Sequence, residues 1–344
     1  MAPAEPPFLA ACAGRPVERT PVWFMRQAGR ALPEYRAIRE RFTFSEMIRR
    51  PEVAAEVTLQ PVRRLGVDAA ILFSDLITPV QAVVPGVDVH PGKGPVVDEP
   101  FRTPADLERL RPLDPDADLP YVLEAVRLVR AELPPGVPLI GFAGAPFTVA
   151  SYLLEGGPSR RYTATKGLMY GDEALWHALL DRLADLAAVS LRSQVAAGAQ
   201  AVQLFDSWVG TLSPPDYRRY VLPHSAKVLG AVADLGVPRI HFGIDTGELL
   251  GLMAEAGADV VGVDWRTTID DARRRLPAGT GVQGNLDPVT CLCPWDVVRA
   301  KAADVVASNA GRAGHIFNLG HGVLPETDPT VLTRLVEAVH GGQL

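Results

Sequence analysis

The sequence predicts an α/β fold, a single-domain (β/α)8 TIM-like barrel with a long excursion after its second strand. Eight short apolar runs recur along the chain, and most are continuous, as in parallel strands that are covered on both faces. Longer helical patterns lie between them, and β/α units in a row are typical of a barrel. A doubly wound sheet is the second choice, but the chain lacks the Gly-x-Gly-x-x-Gly turn expected after its first strand.

The predicted strands are four or five residues long and mostly apolar. They are Val22–Met25, Ala69–Phe73, Leu139–Phe142, Ala201–Phe205, Arg239–Phe242, Asp259–Val263, Gly281–Gly284 and His315–Leu319. The predicted helices are Glu52–Leu65, Leu119–Leu133, Glu173–Ala197, Pro215–Leu235, Gly247–Ala256 and Pro329–His340. Glycine stands between several helices and the next strand, as at Gly66 and Gly236, which predicts a residue that ends the helix and redirects the chain.

The span Val84–Asp118 interrupts this alternation. It is rich in proline, glycine and aspartate and lies between the second strand and its helix. Thr103, Pro104 and Asp106 predict one short helix within it, because they supply a cap, a first-turn proline and an acidic third position. We expect the excursion to lie on the active-site side of the barrel. Residues 1–344 are interpreted as one domain, with residues 1–15 as a flexible terminus.

Composition argues against several classes of protein. No apolar run reaches the roughly 18 residues of a membrane span, and the first residues do not resemble a secretory signal. The net charge of −6 argues against a nucleic-acid binder. Cys12, Cys291 and Cys293 make no disulfide framework, which favours a reducing, cytoplasmic compartment. Cys291 and Cys293 have no partner at zinc-like spacing, so no metal site is predicted.

The most informative stretch begins at Pro21. A short apolar run there turns abruptly into Arg26, Gln27, Ala28, Gly29 and Arg30. Gly29 allows a tight or positive-φ turn. Such a loop offers both backbone N–H groups and guanidinium forks to carboxylates or phosphates. Two ordinary surface arginines are the alternative, which we disfavour because the pair brackets a glycine directly at a strand end.

Other candidate residues also follow predicted strands, where the active sites of barrels lie. Asp75 has apolar neighbours on both sides, and capping is its ordinary role. In a dry cleft it would instead stabilise a cation about 4 Å away by roughly 4 kcal/mol, at an effective dielectric near 20. His321 lies between two glycines, where a ligand can approach closely, and a turn histidine bonded to backbone is an equal alternative. Tyr152 and Ser207, taken alone, would be a core aromatic and a cap.

Six segments, in order, resemble the uroporphyrinogen decarboxylase family over nearly the whole chain. They are Met25–Arg36, Ile71–Ile77, Gly144–Gly156, Leu204–Gly210, Gln283–Asp287 and Phe317–Gly322. The first segment is highly specific. The resemblance implies a cytoplasmic homodimer that uses no cofactor. It also implies a carboxy-lyase that converts the four acetates of uroporphyrinogen III to methyl groups, giving coproporphyrinogen III and CO2 in haem biosynthesis.

The same resemblance implies residue roles. Arg26, Gln27, Ala28, Gly29 and Arg30 would bind the substrate's carboxylates. Asp75 would accept the pyrrole N–H groups and stabilise a cationic intermediate. The pocket would be completed by Tyr152, Ser207 and His321. Arg26 is also the proton donor that the family suggests, but an arginine is a poor acid with a pKa above about 12, so a water or a substrate carboxyl is an alternative donor.

Two other functions are considered. Zinc-dependent methyltransferases that act with corrinoid proteins share the superfamily, but they carry a His-x-Cys ligand pair after a middle strand and a second late cysteine. This chain has His241-Phe242-Gly243 at the first place and His321 at the second. The other function is a catalytically inactive porphyrinogen-binding protein. The complete set of motif residues argues against it, and a turnover assay separates the two.

Overall fold

A curled parallel sheet forms the centre of the computed structural model, which describes residues 5–90 and 93–344. The strands are β1 (Ala70–Ile71), β2 (Val87–His90), β3 (Gly94–Val97), β4 (Leu139–Gly144), β5 (Ala201–Asp206), β6 (Arg239–Gly243), β7 (Val260–Gly262), β8 (Gly281–Gln283) and β9 (His315–Ile316). The seven-stranded parallel sheet has the order β1-β4-β5-β6-β7-β8-β9, while β2 and β3 form a separate antiparallel pair. The predicted α/β barrel class is confirmed.

Helices surround this sheet and alternate with its strands. They are α1 (Pro7–Cys12), α2 (Pro33–Arg39), α3 (Phe44–Ile48), α4 (Pro51–Leu65), α5 (Thr78–Val83), α6 (Pro115–Asp118), α7 (Pro120–Glu132), α8 (Pro146–Glu155), α9 (Thr163–Gly171), α10 (Glu173–Ala197), α11 (Pro214–Tyr220), α12 (Leu222–Gly230), α13 (Leu250–Glu255), α14 (Ile269–Arg275), α15 (Trp295–Ser308) and α16 (Pro329–Gly341). Short 3-10 helices occur at Pro104–Arg109, Val209–Thr211, Ala233–Leu235, Gly247–Leu249 and Pro288–Leu292. None of the described helices is long and apolar enough to cross a membrane.

Residues 21–25 link the two edges of the curled sheet. The N–H of Phe317, beside β9, donates to the carbonyl of Pro21 at 2.9 Å. On the other side, the N–H of Asp68, just before β1, donates to the carbonyl of Val22 at 2.7 Å. The chain therefore passes between the first and last strands of the sheet, in the position expected for the first strand of a barrel.

The predicted strand Val22–Met25 is nevertheless wrong as a regular strand, since Val22 forms only a single parallel bridge, with Phe317. Side chains, not a neighbouring strand, bind several of its backbone amides. Asp68 accepts from the N–H of Val22 at 2.7 Å, and Asn318 accepts from the N–H of Met25 at 3.0 Å. These polar side chains replace the strand ladder and let the chain turn sharply after Met25.

A hydrogen-bonded chain of side chains crosses the barrel interior. Trp23 donates through Nε1 to Gln283 Oε1 at 2.9 Å, and Gln283 donates through Nε2 to Gln203 Oε1 at 3.0 Å. The three residues come from the linking segment, β8 and β5, and all are buried. Because buried polar groups are costly without partners, this chain fixes the three elements relative to one another.

Helix boundaries follow local chemistry. The prediction for α10 matches its observed range, and the left-handed glycines predicted at helix ends occur at Gly66 and Gly236, with φ of 69° and 67°. The predicted helix Pro215–Leu235 is instead divided into α11, α12 and a 3-10 turn. Val221 leaves the helical conformation, and Pro223 lies in the first turn of α12, where a proline is tolerated.

The excursion after β1 packs against α8, the helix that follows β4. The N–H of Val97 donates to the carbonyl of Gly156 at 3.0 Å, and that of Phe101 donates to Leu153 at 2.9 Å. Thr103 and Asp106 form a capping box, as predicted for the short helix. The strands β2 and β3 were not predicted, and residues 91–92 between them lie outside the described residues.

The described part of the N-terminus differs from the expected flexible segment. Residues 7–12 form α1, and the side chain of Phe8 is 0% exposed. This helix packs beside β9 with Trp23 and Phe317 in one apolar cluster. An aromatic side chain buried in this way contributes on the order of 2–3 kcal/mol. Residues 1–4, which belong to the same prediction, lie outside the described residues.

Candidate active site

The loop 26–30 turns at Arg26, not at the glycine. Arg26 has a φ of 60°, in the left-handed region that most side chains avoid, while Gly29 is not among the residues of positive φ. Gly29 is needed for a different reason: a Cβ there would lie 3.0 Å from the carbonyl oxygen of Arg26. The loop is thus tight enough that only glycine fits comfortably at this position.

The loop carries exposed cations and backbone N–H donors. Both arginine side chains, Arg26 and Arg30, are exposed. The backbone N–H groups of Ala28, Gly29 and Arg30 donate no hydrogen bond to the rest of residues 5–90 and 93–344. Successive free N–H groups next to guanidinium groups form a concavity suited to carboxylates.

Gln27 supports this loop from behind. Its side chain is 1% exposed, accepts the N–H of Phe24 at 3.0 Å and donates to the carbonyl of Ala69 at 3.0 Å. These bonds tie the loop to the residue directly before β1. The side chain of Gln27 therefore holds the loop in place and does not face the cleft.

Asp75 lies in the turn between β1 and α5 and is half-buried. Its Oδ1 accepts the N–H of Ile77 at 3.1 Å, and Thr78 Oγ1 accepts the N–H of Asp75 at 3.2 Å. Burial raises the pKa of this carboxyl, while the Ile77 hydrogen bond and the charge of Arg26 act against that rise. The bond to Ile77 uses Oδ1 alone, so the carboxyl can accept further N–H donors.

An aromatic row lines the next wall. Tyr152, on α8, packs edge-on against Trp208 with ring centroids 6.2 Å apart, and Trp208 meets Tyr162 at 6.4 Å. Burial raises the pKa of Tyr152 to about 12, helped by the charge of Asp75 and opposed by Trp208 and Arg26. Tyr152 is therefore a neutral hydroxyl at ordinary pH.

His321 follows β9 and lies against Arg26. Burial lowers its pKa to about 4, and the charge of Arg26 acts in the same direction. The N–H of Gly322 donates to His321 Nδ1 at 2.6 Å, so the neutral ring carries its proton on Nε2. The histidine thus makes the backbone bond considered for a turn residue and still keeps one N–H donor for a ligand.

Arg26 is close enough to Asp75, Tyr152 and His321 for its charge to act on the pKa of each of them. Ser207 is half-buried in the turn after β5, directly before Trp208.

The turns that follow β6 and β7 differ from those of the candidate site. There, Asp264 accepts the N–H of Asp245 at 2.6 Å and binds the guanidinium of Arg266 at 2.6 Å. The charges of Asp264 and Arg266 are thus paired with each other.

The sequence interpretation missed the packing role of two neighbours of the site. Tyr162 needs a φ of 53° to place its ring on Trp208, and nothing in the local sequence signals this. Gly322 lies so close to Arg26 that a Cβ on it would come within 2.7 Å of Arg26 Cγ. Its place directly after His321 in Asn-Leu-Gly-His-Gly was the only available signal.

Gly322→Ala should lower activity through Arg26. Gly322 has no positive φ, so alanine is acceptable to its own backbone, but the added methyl group overlaps the stem of the Arg26 side chain. We expect kcat/KM to fall at least about tenfold, since small misplacements of positioning groups have large kinetic effects. Steady-state kinetics measure this. Gly230→Ala, where nothing lies within 4 Å of the new Cβ, is the control; equal kinetics for both variants would contradict the prediction.

The fold should lose stability as the pH falls from 6.5 towards 4. Burial lowers the pKa of His224, His315 and His321 to about 4 each. Between those pH values the unfolded chain binds protons that the folded chain does not. The free energy of unfolding therefore decreases as the pH falls through this window. Three protons correspond to a slope of at most about 4 kcal/mol per pH unit. Urea unfolding at pH 7, 6 and 5 measures this slope, which the exposed-site variant His90→Gln should keep and His315→Asn should reduce.

Fold and site together define a barrel enzyme whose charged residues meet at the carboxyl ends of its parallel strands. A family model described as Uroporphyrinogen decarboxylase matches residues 3–342. The chain belongs to the uroporphyrinogen decarboxylase family.

Relatives agree over nearly the full length. The uroporphyrinogen decarboxylase of Salinispora tropica is 61% identical over 338 residues, which cover 98% of this chain and 91% of that protein. The uroporphyrinogen decarboxylase of Streptomyces coelicolor is 61% identical over 333 residues, covering 97% of this chain and 93% of that protein. The family resemblance inferred from the six segments is confirmed.

A methyltransferase from Methanosarcina mazei has a similar structure, with a TM-score of 0.78 over 98% of each chain and 21% sequence identity. At this identity the likeness shows the fold alone. Within residues 5–90 and 93–344, no group of three or more His, Cys, Asp or Glu side chains is arranged to hold a metal ion. The zinc-dependent methyltransferase alternative is not favoured, because the relatives at about 61% identity are decarboxylases.

Proposed function

We propose that this protein decarboxylates the four acetate side chains of uroporphyrinogen III to give coproporphyrinogen III and CO2. The observation that carries the proposal is that Asp75, Tyr152 and His321 all lie within the electrostatic reach of the exposed Arg26, in the loop 26–30. The names of the full-length relatives at about 61% identity support the same reaction. The protein is then a carboxy-lyase of porphyrin biosynthesis.

The substrate carries eight carboxylates, and the loop 26–30 suits several of them. Arg26 and Arg30 offer forked, permanently charged donors, and residues 28–30 add three backbone N–H groups. His321 adds the N–H on Nε2, and Ser207 adds a hydroxyl at the far wall. The polar contacts are thus concentrated where the substrate's acetates and propionates would lie, and the aromatic row would pack on the flat faces of its pyrroles.

The reaction itself needs an electron sink. Protonation of a pyrrole carbon next to the acetate makes the ring cationic, and the C–CO2 bond can then break with its electron pair moving into the ring. A proton on the resulting methylene carbon and loss of the first ring proton complete the methyl group. Because the protonated ring accepts the electrons, this chemistry requires no cofactor.

Asp75 is placed to stabilise that cation. Its carboxyl would accept the pyrrole N–H groups, whose hydrogen bonds favour the ionised carboxylate that burial alone disfavours. When the ring becomes cationic, the same contact becomes a charge pair in a water-poor site, where it stabilises the transition state more than the neutral substrate. A water or a substrate carboxyl supplies the proton, since a guanidinium is a very weak acid.

The test is anaerobic incubation of the purified, chelator-treated protein with uroporphyrinogen III and no added cofactor. Products are oxidised and separated by their number of carboxylates. We expect stepwise loss from eight carboxylates to four. Tight binding without loss would instead support an inactive porphyrinogen-binding protein. If neither binding nor loss occurs, the proposal is wrong and methyl transfer with added metal is the next activity to assay.

We also propose that the protein is a cytoplasmic, single-domain homodimer. Support for a second copy comes from an apolar patch formed by Val289, Leu292 and Val297, with exposures of 57%, 46% and 43%. They lie within nine residues, from Val289 in the 3-10 helix Pro288–Leu292 to Val297 in α15, and they are three of the four large hydrophobic residues exposed in the described chain. A patch of this kind favours a protein interface. The free thiols of Cys12, Cys291 and Cys293 agree with a reducing compartment.

Val289→Asp combined with Leu292→Asp should convert the dimer to a monomer. Two charges without partners at the centre of an apolar contact oppose association. Sedimentation velocity at micromolar concentration measures the mass. Tyr170→Ser changes the fourth exposed hydrophobic residue, outside the patch, and should remain dimeric. A monomeric wild type would refute the dimer, and a dimeric double variant would refute the patch as its contact surface.

A further inference from the structure

Two fully buried residues join the walls of the candidate site. Thr148 lies on α8 one turn before Tyr152, so the two side chains share one side of that helix. Asp206 ends β5, directly before Ser207. Thr148 Oγ1 donates to Asp206 Oδ1 at 2.8 Å and accepts the backbone N–H of Trp208 at 3.2 Å. Both side chains are 0% exposed.

The second oxygen of Asp206 faces a buried histidine. The distance from Asp206 Oδ2 to His241 Nε2 is 3.8 Å, and neither atom has a hydrogen-bond partner among the described residues. His241 is also 0% exposed. A carboxylate in this position is expensive, because burial removes its hydration and only one oxygen is well bonded. Stability alone therefore does not account for it, since an apolar residue of similar volume would fill the space at lower cost.

Its connections lead to the site. Through Thr148 the carboxylate is tied to the helix that carries Tyr152. Asp206 also directly precedes Ser207 in the chain. The hydroxyl of Thr148 accepts the N–H of Trp208 as well, and the ring of Trp208 packs on Tyr152 with centroids 6.2 Å apart. One buried hydroxyl and one buried carboxylate thus link α8 to the end of β5, next to the hydrogen bond that the N–H of Ala145 donates to the carbonyl of Phe205 at 2.8 Å.

We propose that Thr148 and Asp206 are positioning residues for the decarboxylation described above: they fix Tyr152, Ser207 and Trp208 relative to Asp75. Neither Thr148 nor Asp206 faces the substrate, because both are fully buried. The proposal rests on the proposed function for its reaction, but it concerns only how the pocket wall is held. Since catalytic geometry is sensitive to shifts of about 1 Å, loss of this bond should slow turnover.

The test is Thr148→Val in the full-length protein, which keeps the shape of the side chain and removes the hydroxyl. Asp206 Oδ1 and the N–H of Trp208 then lose their partner. We expect kcat to fall about tenfold to a hundredfold with KM changed about twofold or less, because the loop 26–30 still binds the carboxylates. We also expect intermediates with seven, six and five carboxylates to accumulate. Thr148→Ser keeps the hydroxyl and should restore turnover and the product pattern.

Ser190→Ala is the matched control. Ser190 carries a buried hydroxyl on α10, which accepts a hydrogen bond from Gln194 Nε2 at 3.1 Å. The same nitrogen of Gln194 also donates to the carbonyl of Phe142 at 3.0 Å. Its loss removes one buried hydrogen bond away from the pocket. We expect a fall in Tm for both Ser190→Ala and Thr148→Val, larger for the second because it loses two hydrogen bonds, but a fall in kcat only for Thr148→Val.

Unchanged kcat in Thr148→Val, or an equal loss of kcat in Ser190→Ala, would overturn the positioning role. If Thr148→Val does not fold, Thr148→Ala removes the hydroxyl without an added methyl group and is judged by the same two outcomes. Failure of the proposed function looks different, because the wild-type protein would then not convert uroporphyrinogen at all.

Discussion

Asp75→Asn should lose about three powers of ten in kcat while the protein remains folded. Asparagine keeps an oxygen that can accept the N–H of Ile77, so the local turn after β1 persists. What disappears is the negative charge beside the pyrrole ring. A charge pair about 4 Å apart at an effective dielectric near 20 is worth roughly 4 kcal/mol, which corresponds to about a thousandfold in rate when it acts only in the transition state.

The stability of this variant should be equal to or slightly above that of the wild type. Burial raises the pKa of Asp75, which means that the ionised carboxylate is held at a cost in the folded protein. A neutral amide relieves that cost. Thermal unfolding and single-turnover decarboxylation are measured on one preparation. We expect the Tm to stay equal or rise slightly while the rate of decarboxylation falls.

Asp328→Asn supplies the matched control. Asp328 accepts the N–H of Thr330 at 2.8 Å, the same bond to the second following residue that Asp75 makes at 3.1 Å, but at the start of α16. Its kcat should equal that of the wild type. Near-normal turnover in Asp75→Asn, or an equal loss in Asp328→Asn, would remove Asp75 from the mechanism.

The barrel could be predicted because its central strands are buried on both faces. β4, β5 and β6 appear in the sequence as short, mostly apolar runs, interrupted by Gln203 in β5 and by Arg239 and His241 in β6. Their observed ranges differ from the predicted ones by one or two residues at the end. The linking segment 21–25 has the same apolar character, yet Asp68 and Asn318 take the hydrogen bonds that a strand would use. Those partners are remote in sequence, so no local pattern reveals the difference.

The residues of the candidate site could be proposed from the sequence for a different reason. Its charged residues lie in short motifs at strand ends, so family resemblance located Arg26, Asp75 and His321 without any knowledge of packing. The side chain of Gln27 belongs to the same motif, but its direction depends on the carbonyl of Ala69, and only the structure reveals that it faces away from the cleft. The bond between Thr148 and Asp206 joins residues 58 positions apart and has no signature in sequence.

Arg26→Gly should separate stability from activity with opposite signs. Arg26 holds a φ of 60°, which glycine adopts without the steric penalty that an L side chain meets. Removal of that penalty should stabilise the fold by up to about 1 kcal/mol, reduced by the greater freedom of glycine in the unfolded chain. The guanidinium that lies among Asp75, Tyr152 and His321 is lost at the same time.

We expect kcat/KM to fall at least about a hundredfold in Arg26→Gly, because one charge-assisted, forked contact to a carboxylate is worth about 1.5–3 kcal/mol and the variant also leaves Asp75 without its cationic neighbour. Arg26→Lys keeps the charge, loses the fork and retains the strained backbone, so it should be intermediate in activity and no more stable than the wild type. Urea unfolding ranks the wild type, Arg26→Gly and Arg26→Lys by stability, and steady-state kinetics rank them independently by activity. If activity followed stability across the series, the left-handed Arg26 would be an accident of the loop. The opposite order would mean that the loop holds a strained backbone in order to direct this guanidinium at the substrate.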